Sequence, residues 1–358
     1  MAIRLKHPKE KVRKSRAHRI ILMTLLIAVI GSLIIFFRLF NAILKPNTKT
    51  LAGESVSIYI PTGATYNDVR DILYSHNLII NKGSFEWVAS RKDFASHVRP
   101  GHYLIHNAMN NNTLVNMLRS GAQVPVNVVF NNIETKAELA GKVSAQIEAD
   151  SLSLLKCWND RVFLKTLNTS PEKVFYILLP DTYEFWWTTD AEGFTARMAK
   201  EYLNFWNEER TDQAKKIGLN AEQVIILASI IEKETQKNDE KPVIAGVYLN
   251  RLRKDWPLQA DPTVKYALNA PELKRVLKAH TEYDSPYNTY LYRGLPPGPI
   301  CMPSKASIDA VLNYKKHDYM FFCAKPDLSG YHVFSRTLAE HNRYAAAYQK
   351  ELDRRNIR

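Results

Sequence analysis

The sequence predicts an α+β protein with a single N-terminal transmembrane helix, a small α+β module and a larger α+β domain. Three observations lead to this class: an uncharged apolar run at residues 20–37, a strand-helix-helix-strand pattern within residues 55–122, and helical periodicity that dominates after a further strand near residue 124. A chain of 358 residues with 46% hydrophobic content is long enough for one membrane segment and one or two packed domains. We place the segments at 1–19 (basic tail), 20–40 (anchor), 41–54 (linker), 55–123 (module) and 124–358 (larger domain).

The apolar run is predicted to be a retained membrane anchor. As an α-helix it would span roughly 27 Å, which approaches the thickness of the hydrocarbon core. A cleaved signal peptide would have a shorter apolar region and a small-residue cleavage site, whereas Arg38-Leu39-Phe40-Asn41 follows here. Eight Lys and Arg against one Glu precede the run, giving +7 of the net charge of +13. The basic N-terminus should therefore stay in the cytoplasm, with everything after about residue 41 outside.

The module after the anchor alternates short strands and helices. Residues 55–60 alternate with period two and end at Pro61-Thr62-Gly63, which predicts a strand. Helical spacing follows at 66–75 and around residues 85–89, then a turn and short strand at 100–105 and a helix at 113–120. This order resembles a LysM-like module, a kind that lies along glycan strands. The alternative is a spacer that holds the larger domain off the membrane.

The larger domain is expected to start with a strand at 124–130 and to be richly helical from 134 to about 236. The most informative stretch is 227–235, where Glu232 and Glu234 interrupt an apolar helical run, because a carboxyl group among apolar neighbours has a raised pKa and can act as a general acid. On a helix, Glu232 shares a stripe with the small Ala228 and Ser229, which leave room for a substrate, whereas Glu234 shares one with bulky residues. Glu232 is therefore the preferred acid, and ordinary ion pairing of both carboxylates is the alternative.

The sequence lacks the motifs that are typical of several other functional classes. The three cysteines are too few for a disulfide framework, and His332, Glu340 and His341 do not have the spacing of a zinc site, so no metal and no cofactor are expected. The mildly basic surface is accompanied by no nucleic-acid recognition motif, so no nucleic-acid partner is expected. Ser-x-x-Lys occurs without Lys-Thr-Gly or Ser-Asp-Asn, and Gly-x-Ser-x-Gly and phosphate-binding loops do not occur, which leaves transpeptidase, esterase and nucleotide-binding functions unsupported.

The second half of the chain carries ordered motifs at residues 179–183, 229–235, 246–252, 258–264, 285–290, 294–300, 331–334 and 341–342. Together they closely resemble the MltG (YceG-like) family of membrane-anchored endolytic murein transglycosylases. The resemblance covers roughly residues 50 to 355 and is densest in the second half.

The resemblance implies a lyase of cell wall biogenesis that cuts the MurNAc-GlcNAc bond of nascent peptidoglycan strands and leaves 1,6-anhydroMurNAc ends, without a cofactor. It implies that Glu232 is the catalytic residue and that Asp261, Tyr287, Asn288 and Thr289 line the glycan cleft. It also implies a bacterial cytoplasmic (inner) membrane location with the catalytic domain outside, and peptidoglycan synthases as partners.

Flat aromatic faces and short polar side chains suit a sugar polymer, and a Pro- and Gly-rich turn could form one rigid wall of a cleft. The candidate substrate-binding residues are Ser229, Glu234, Gln259, Asp261, Thr263, Tyr287, Asn288, Thr289, Tyr290, Pro296, Gly298 and His332. Two alternatives stay open: a hydrolase (muramidase) that uses Glu232 with Asp261, and a non-catalytic scaffold that binds the cell wall and in which Glu232 only forms salt bridges.

Overall fold

The structure of the protein is a computed structural model that describes residues 9–51 and 54–355. Residues 1–8 of the predicted basic tail, residues 52 and 53 of the predicted linker, and the last three residues of the chain lie outside this description. The chain divides into two compact units. The first comprises Met1–Pro125 and Trp186–Thr188, and the second comprises Val126–Phe185 and Thr189–Arg358. The mixed helix and strand content predicted from the sequence is confirmed.

The N-terminal helix α1 spans Lys9–Leu44 and contains the predicted apolar run. Its part His18–Leu44 has a window of mean hydropathy 3.0, and it is long and apolar enough to cross a membrane. Large apolar side chains such as Ile20 and Phe37 stay more than half exposed, as expected of a surface that faces lipid. The helix is longer than the uncharged run because the flanking charged residues continue the helical backbone at both ends.

The rest of the first unit has the predicted order of strands and helices. Its elements are β1 (Val56–Ile60), α2 (Tyr66–Ser75), α3 (Lys82–Arg91), a short 3₁₀ helix (Phe94–His97), β2 (Gly101–Ile105) and α4 (Asn111–Ser120). β1 and β2 pair antiparallel, with Ile58 opposite Tyr103, and their inward side chains pack with Leu73 and Phe85 in one core. The likeness to a LysM module stays a prediction.

Part of the predicted polar linker is packed into this unit. Asn47 and Thr48 are buried, and Asn47 Nδ2 donates to Asn111 Oδ1 at 2.7 Å. Asn111 in turn donates to the carbonyl of Ala42 at 2.8 Å, near the end of α1. These bonds satisfy polar groups that would otherwise be costly to bury, and they fix the segment against α4.

The second unit is mainly helical and contains two antiparallel strand pairs. Its elements are β3 (Val126–Phe130), α5 (Lys136–Ser144), α6 (Ser151–Cys157), α7 (Arg161–Thr166), α8 (Val174–Ile177), β4 (Asp181–Phe185), α9 (Ala191–Phe205), α10 (Glu208–Lys216), α11 (Ala221–Glu234), α12 (Lys241–Arg253), α13 (Asp261–Ala267), α14 (Lys278–Thr281), α15 (Lys305–Leu312), β5 (Phe321–Ala324), β6 (His332–Ser335) and α16 (Leu338–Arg354). β3 pairs with β4 and β5 with β6. Strand β4 lies inside the stretch that was expected to be helical.

Helix α11 is the central helix of the second unit. Its residues 224–231 are all buried, and α12, α13 and α15 pack around it. A helix that is apolar on every side belongs in the interior of a domain. Its last turn leaves this interior and carries both carboxylates, Glu232 and Glu234, to positions with different surroundings.

Candidate functional site

Glu232 is held in a cage of hydrogen-bond donors. Its Oε2 accepts from Ser304 Oγ at 2.6 Å, from the Ser304 amide at 3.2 Å and from Ser307 Oγ at 2.5 Å, all at the start of α15. It also pairs with Lys241 Nζ at 3.2 Å; the side chains of Glu232 and Lys241 are only 13% and 5% exposed. One carboxylate thus ties α11 to α12 and α15.

This cage sets the charge state of Glu232. Burial alone would raise the pKa of the carboxyl group, but the hydrogen bonds from Ser304 and Ser307 and the charge of Lys241 outweigh burial, so the pKa lies below its usual value. The prediction that apolar neighbours raise the pKa of Glu232 is therefore wrong. A carboxylate that stays ionised at neutral pH has no proton to donate. We infer that Glu232 is a structural anchor.

Glu234, the last residue of α11, has a pKa that is shifted in the opposite direction. Burial raises its pKa to about 7; the Tyr248 hydroxyl lowers it, the negative charge of Asp261 raises it further, and Arg251 and Lys265 offset part of the increase. Tyr248 Oη donates to Glu234 Oε1 at 2.5 Å. Near neutral pH this carboxyl group can both hold and release a proton, which is what general acid-base chemistry requires.

Helix α12 supplies the groups that fix this region, and the sequence analysis missed their roles. Tyr248 and Arg251 are three residues apart on α12 and both are buried. Arg251 donates from Nε to the carbonyl of Met320 at 2.8 Å and from Nη1 to that of Leu258 at 2.5 Å, so it holds the segment that leads into α13. Their spacing places the two residues on one helical face, and this spacing was the sequence signal from which their shared role could have been predicted.

Asp261 opens α13 and lies near Glu234, whose pKa it raises. Its Oδ1 accepts a hydrogen bond from Tyr290 Oη at 2.6 Å. Asp261 is exposed and Tyr290 is partly exposed. The structure therefore brings together three of the candidate residues, Glu234, Asp261 and Tyr290, and adds Tyr248.

Six of the other nine candidates are buried, and the polar ones among them form structural hydrogen bonds. Ser229 Oγ donates to the carbonyl of Ile226 at 2.7 Å and accepts from the Ile300 amide at 3.0 Å. Asn288 Nδ2 donates to the carbonyl of Tyr283 at 2.7 Å. The buried members of the candidate set are Ser229, Thr263, Asn288, Thr289, Pro296 and Gly298. We infer that they support the site from the interior of the protein.

Thr263 and Thr289 illustrate this role. Their hydroxyls lie 2.9 Å apart, Thr263 also donates to the carbonyl of Ala260 at 2.7 Å, and Thr289 Oγ1 accepts from the Ala260 amide at 3.0 Å. These bonds fix the N-terminus of α13 and hence the position of Asp261.

The remaining candidates reach the surface in separate settings. Gln259 is exposed and has a left-handed backbone conformation (φ 49°), and its backbone N–H donates to the carbonyl of Thr289. His332 is engaged by the buried Glu240, with Nδ1 2.9 Å from Oε2 and the His332 amide donating to Oε1 at 2.8 Å. This pair joins β6 to the start of α12. Among the described residues, no group of three or more His, Cys, Asp or Glu side chains is placed to hold a metal ion.

Two adjoining depressions in the second unit share Glu134, Thr135 and Tyr266, and we call them together the Tyr266 groove. One has a volume of about 240 Å³ and is also lined by Lys233 and Lys265. The other, of about 440 Å³, is also lined by Tyr176, Tyr287 and residues 297–299. The rings of Tyr266 and Tyr287 lie 4.8 Å apart at 50°. The groove thus has an aromatic wall and a charged end.

Gly298 lies in close contact with Tyr287. A Cβ added at Gly298 would lie 2.9 Å from Tyr287 Oη, closer than side chains normally approach. We expect Gly298→Ala to lower the free energy of unfolding by about 1 to 3 kcal/mol, since overpacking forces a side chain out of place. Because the hydroxyl is the clashing atom, adding Tyr287→Phe should recover a large part of that loss. Denaturant unfolding of both single variants and the double variant measures this coupling, and strictly additive effects would contradict it.

The comparisons with known proteins agree with one another. The YceG-like family model matches residues 58–347. The endolytic murein transglycosylase of Bacillus subtilis is 30% identical over 324 residues, which cover 86% of this chain and 88% of that protein. A protein of the same name from Streptococcus pneumoniae is 25% identical over 329 residues, 82% of this chain and 58% of that longer protein. The crystal structure of a YceG-like protein from Listeria monocytogenes aligns with a TM-score of 0.55 and 31% identity, covering 81% of this chain and 98% of that chain.

Proposed function

Because the chain belongs to the YceG-like family, we propose that it is an endolytic murein transglycosylase, a lyase that cuts peptidoglycan strands internally. The observation that carries this proposal is the Glu234 carboxyl group. Its pKa is raised to about 7, and Tyr248, Asp261 and Tyr290 surround it. One carboxyl group of this kind can serve first as an acid and then as a base.

In the proposed reaction, protonated Glu234 donates its proton to the oxygen between N-acetylmuramic acid and N-acetylglucosamine. The bond from that oxygen to C1 of the muramic residue breaks as an oxocarbenium-like transition state develops. The Glu234 carboxylate then takes the proton from the C6 hydroxyl of the same residue, and O6 bonds to C1. The products are a free N-acetylglucosamine end and a 1,6-anhydro end, the proton returns to Glu234, and no water is consumed.

The surroundings of Glu234 support these two roles. Tyr248 binds Oε1, and among the described residues Oε2 of Glu234 accepts no hydrogen bond, so this oxygen is the one available to the substrate. A pKa of about 7 gives comparable amounts of the acid and its conjugate base near neutral pH, where both proton transfers must occur. Tyr290 offers a flat face against which a sugar ring can pack.

A hydrolase is the second candidate, because Asp261 provides another carboxylate near Glu234. Retaining and inverting glycosidases both use such a pair, with water as the final acceptor. Mass spectrometry of murein glycan digested by the full chain in detergent separates the candidates. We expect internal cleavage with anhydro ends, each one water lighter than a reducing end. Reducing ends would identify a hydrolase, and intact glycan would identify a binding scaffold.

We further propose that α1 anchors the protein in the bacterial cytoplasmic membrane as a single span, with the basic N-terminus inside and the second unit outside. The apolar length of His18–Leu44 and the excess of Lys and Arg before it support this orientation. In this position the enzyme would act on strands as they are made, near peptidoglycan synthases. The first unit would then contribute glycan contacts through its strand-helix-helix-strand fold.

A further inference from the structure

The Tyr266 groove is not used by the proposed proton transfers, yet it adjoins the residues that perform them. Helix α13 begins with Asp261, and the next residues on it, Pro262 and Lys265, line the groove. On the α11 side, Lys233 lines the same depression and directly precedes Glu234 in the chain. Lys265, which lines the groove, is also near enough to Glu234 to lower its pKa, so a substrate bound at Glu234 has a neighbouring cavity into which a substituent can extend.

The charged groups of the groove have an ion-pair or hydrogen-bond partner among the described residues, with one exception. Lys233 is ion-paired with Glu134, Glu172 pairs with Arg161 at 2.7 Å, and Lys136 donates to a backbone carbonyl. Lys265 makes no ion pair and no side-chain hydrogen bond with any residue that the structure describes. Its ammonium group is thus the cation of the groove that is available to an anion of a ligand.

The shape and the remaining lining indicate what such a ligand is. Depressions of about 240 and 440 Å³ side by side can hold a short chain of residues, which exceeds what one sugar hydroxyl or acetamido group needs. Tyr266 and Tyr287 give apolar contact area, and the negative charges of Glu134 and Glu172 are balanced by their ion pairs with Lys233 and Arg161. One available cation beside an aromatic wall complements a peptide that carries carboxylates.

We propose that the Tyr266 groove binds the acidic peptide substituent of the murein strand, with Lys265 pairing with a peptide carboxylate. This inference rests on the proposed function, because it takes the substrate to be murein, whose muramic residues carry such peptides. Binding there would favour strands that retain their peptides and would position the glycosidic bond at Glu234.

The experiment compares Lys265→Met with Lys274→Met, an exposed lysine that lines neither depression. Each full-length variant is assayed at its own pH optimum, since Lys265 also lowers the pKa of Glu234. The substrates are glycan with its peptides and glycan from which an amidase has removed them. We expect Lys265→Met to raise KM for the peptide-bearing glycan about 5- to 10-fold, the usual weight of one charge-assisted contact, and to leave KM for the bare glycan nearly unchanged. Lys274→Met should change neither.

A second measurement does not depend on cleavage. Calorimetry with the free peptide released from the same glycan should show binding to the parent chain, and binding at least about 5-fold weaker to Lys265→Met. Equal behaviour of the two lysine variants, or an equal loss on both glycans, would overturn the inference. A chain that binds the peptide through Lys265 but cuts neither glycan would retain the groove assignment and refute the lyase.

Discussion

Glu234→Gln is expected to lower the rate of glycan cleavage by on the order of 10² to 10⁴, because the amide has no proton to donate and cannot accept one from the C6 hydroxyl. The change preserves the size of the side chain and an oxygen that accepts from Tyr248. The formation of anhydro ends by purified full-length protein measures the effect. Glu272→Gln, the same change at an exposed carboxylate, is the matched control and should cleave normally. Normal cleavage by Glu234→Gln would exclude it as the acid.

The same substitution should stabilise the protein above neutral pH. The folded-state pKa of Glu234, about 7, exceeds the usual value of 4.5, so between these values the folded protein holds a proton that the unfolded chain has lost. Stability therefore falls as pH rises through this window, and the full penalty is present above about pH 7. We expect Glu234→Gln to be more stable than the parent by about 1 to 3 kcal/mol at pH 8 and to differ little near pH 4. Denaturant unfolding at both pH values measures this difference.

Local sequence was sufficient to predict elements that depend on local interactions. Helix α2 was placed at its observed bounds from the helical spacing of Val69, Ile72 and Leu73. In the structure Val69 and Leu73 are buried, and Thr65 with Asp68 forms a capping box. Strand β4 was missed because it is only five residues long and its pairing partner, β3, lies about 55 residues earlier in the chain. Its inward residues, Tyr183 and Phe185, are two apart, a short signal among helical neighbours.

The choice between the two carboxylates could not be made from a helical wheel. The wheel assumes that α11 has one face on a cleft, whereas the helix is surrounded on every side. Ala228 and Ser229 are small because protein packs there: the amide of Ile300 bonds Ser229 Oγ, and Cys301 Sγ donates to the Ser229 carbonyl. Small residues beside a carboxylate mark a close backbone approach as readily as a substrate site.

The pKa shifts of Glu232 and Glu234 could not be predicted from the sequence, because they too depend on tertiary contacts. The donors that lower the pKa of Glu232 come from Ser304 and Ser307, more than 70 residues away along the chain. The Tyr248 contact with Glu234 and the Tyr290 contact with Asp261 also join separate elements. The residue types of the site were predictable from motif and composition, but their pairing is a property of the tertiary structure.

Glu232→Gln should have the opposite effect on stability. The substitution leaves the ammonium group of Lys241 buried without its counter-charge, and breaking a buried pair from one side typically costs about 3 to 5 kcal/mol. Because the folded-state pKa of Glu232 is lowered, its contribution is present above the unfolded-state pKa and is lost as pH falls through the folded-state value. The difference between the variant and the parent should therefore be largest at neutral pH and should shrink in acid.

A double-mutant cycle with Lys241→Met isolates this pair. If Glu232 is an anchor, each single variant is destabilised and the double variant loses clearly less than the two losses combined, because neither partner is left as an isolated buried charge. Cleavage per folded molecule should stay within about tenfold of the parent, since an anchor acts on the site only through geometry. A Glu232→Gln protein that is as stable as the parent at pH 7 and produces no anhydro ends would reverse the assignment. Glu232 would then be the acid, and the Ser304, Ser307 and Lys241 cage would have to open when substrate binds.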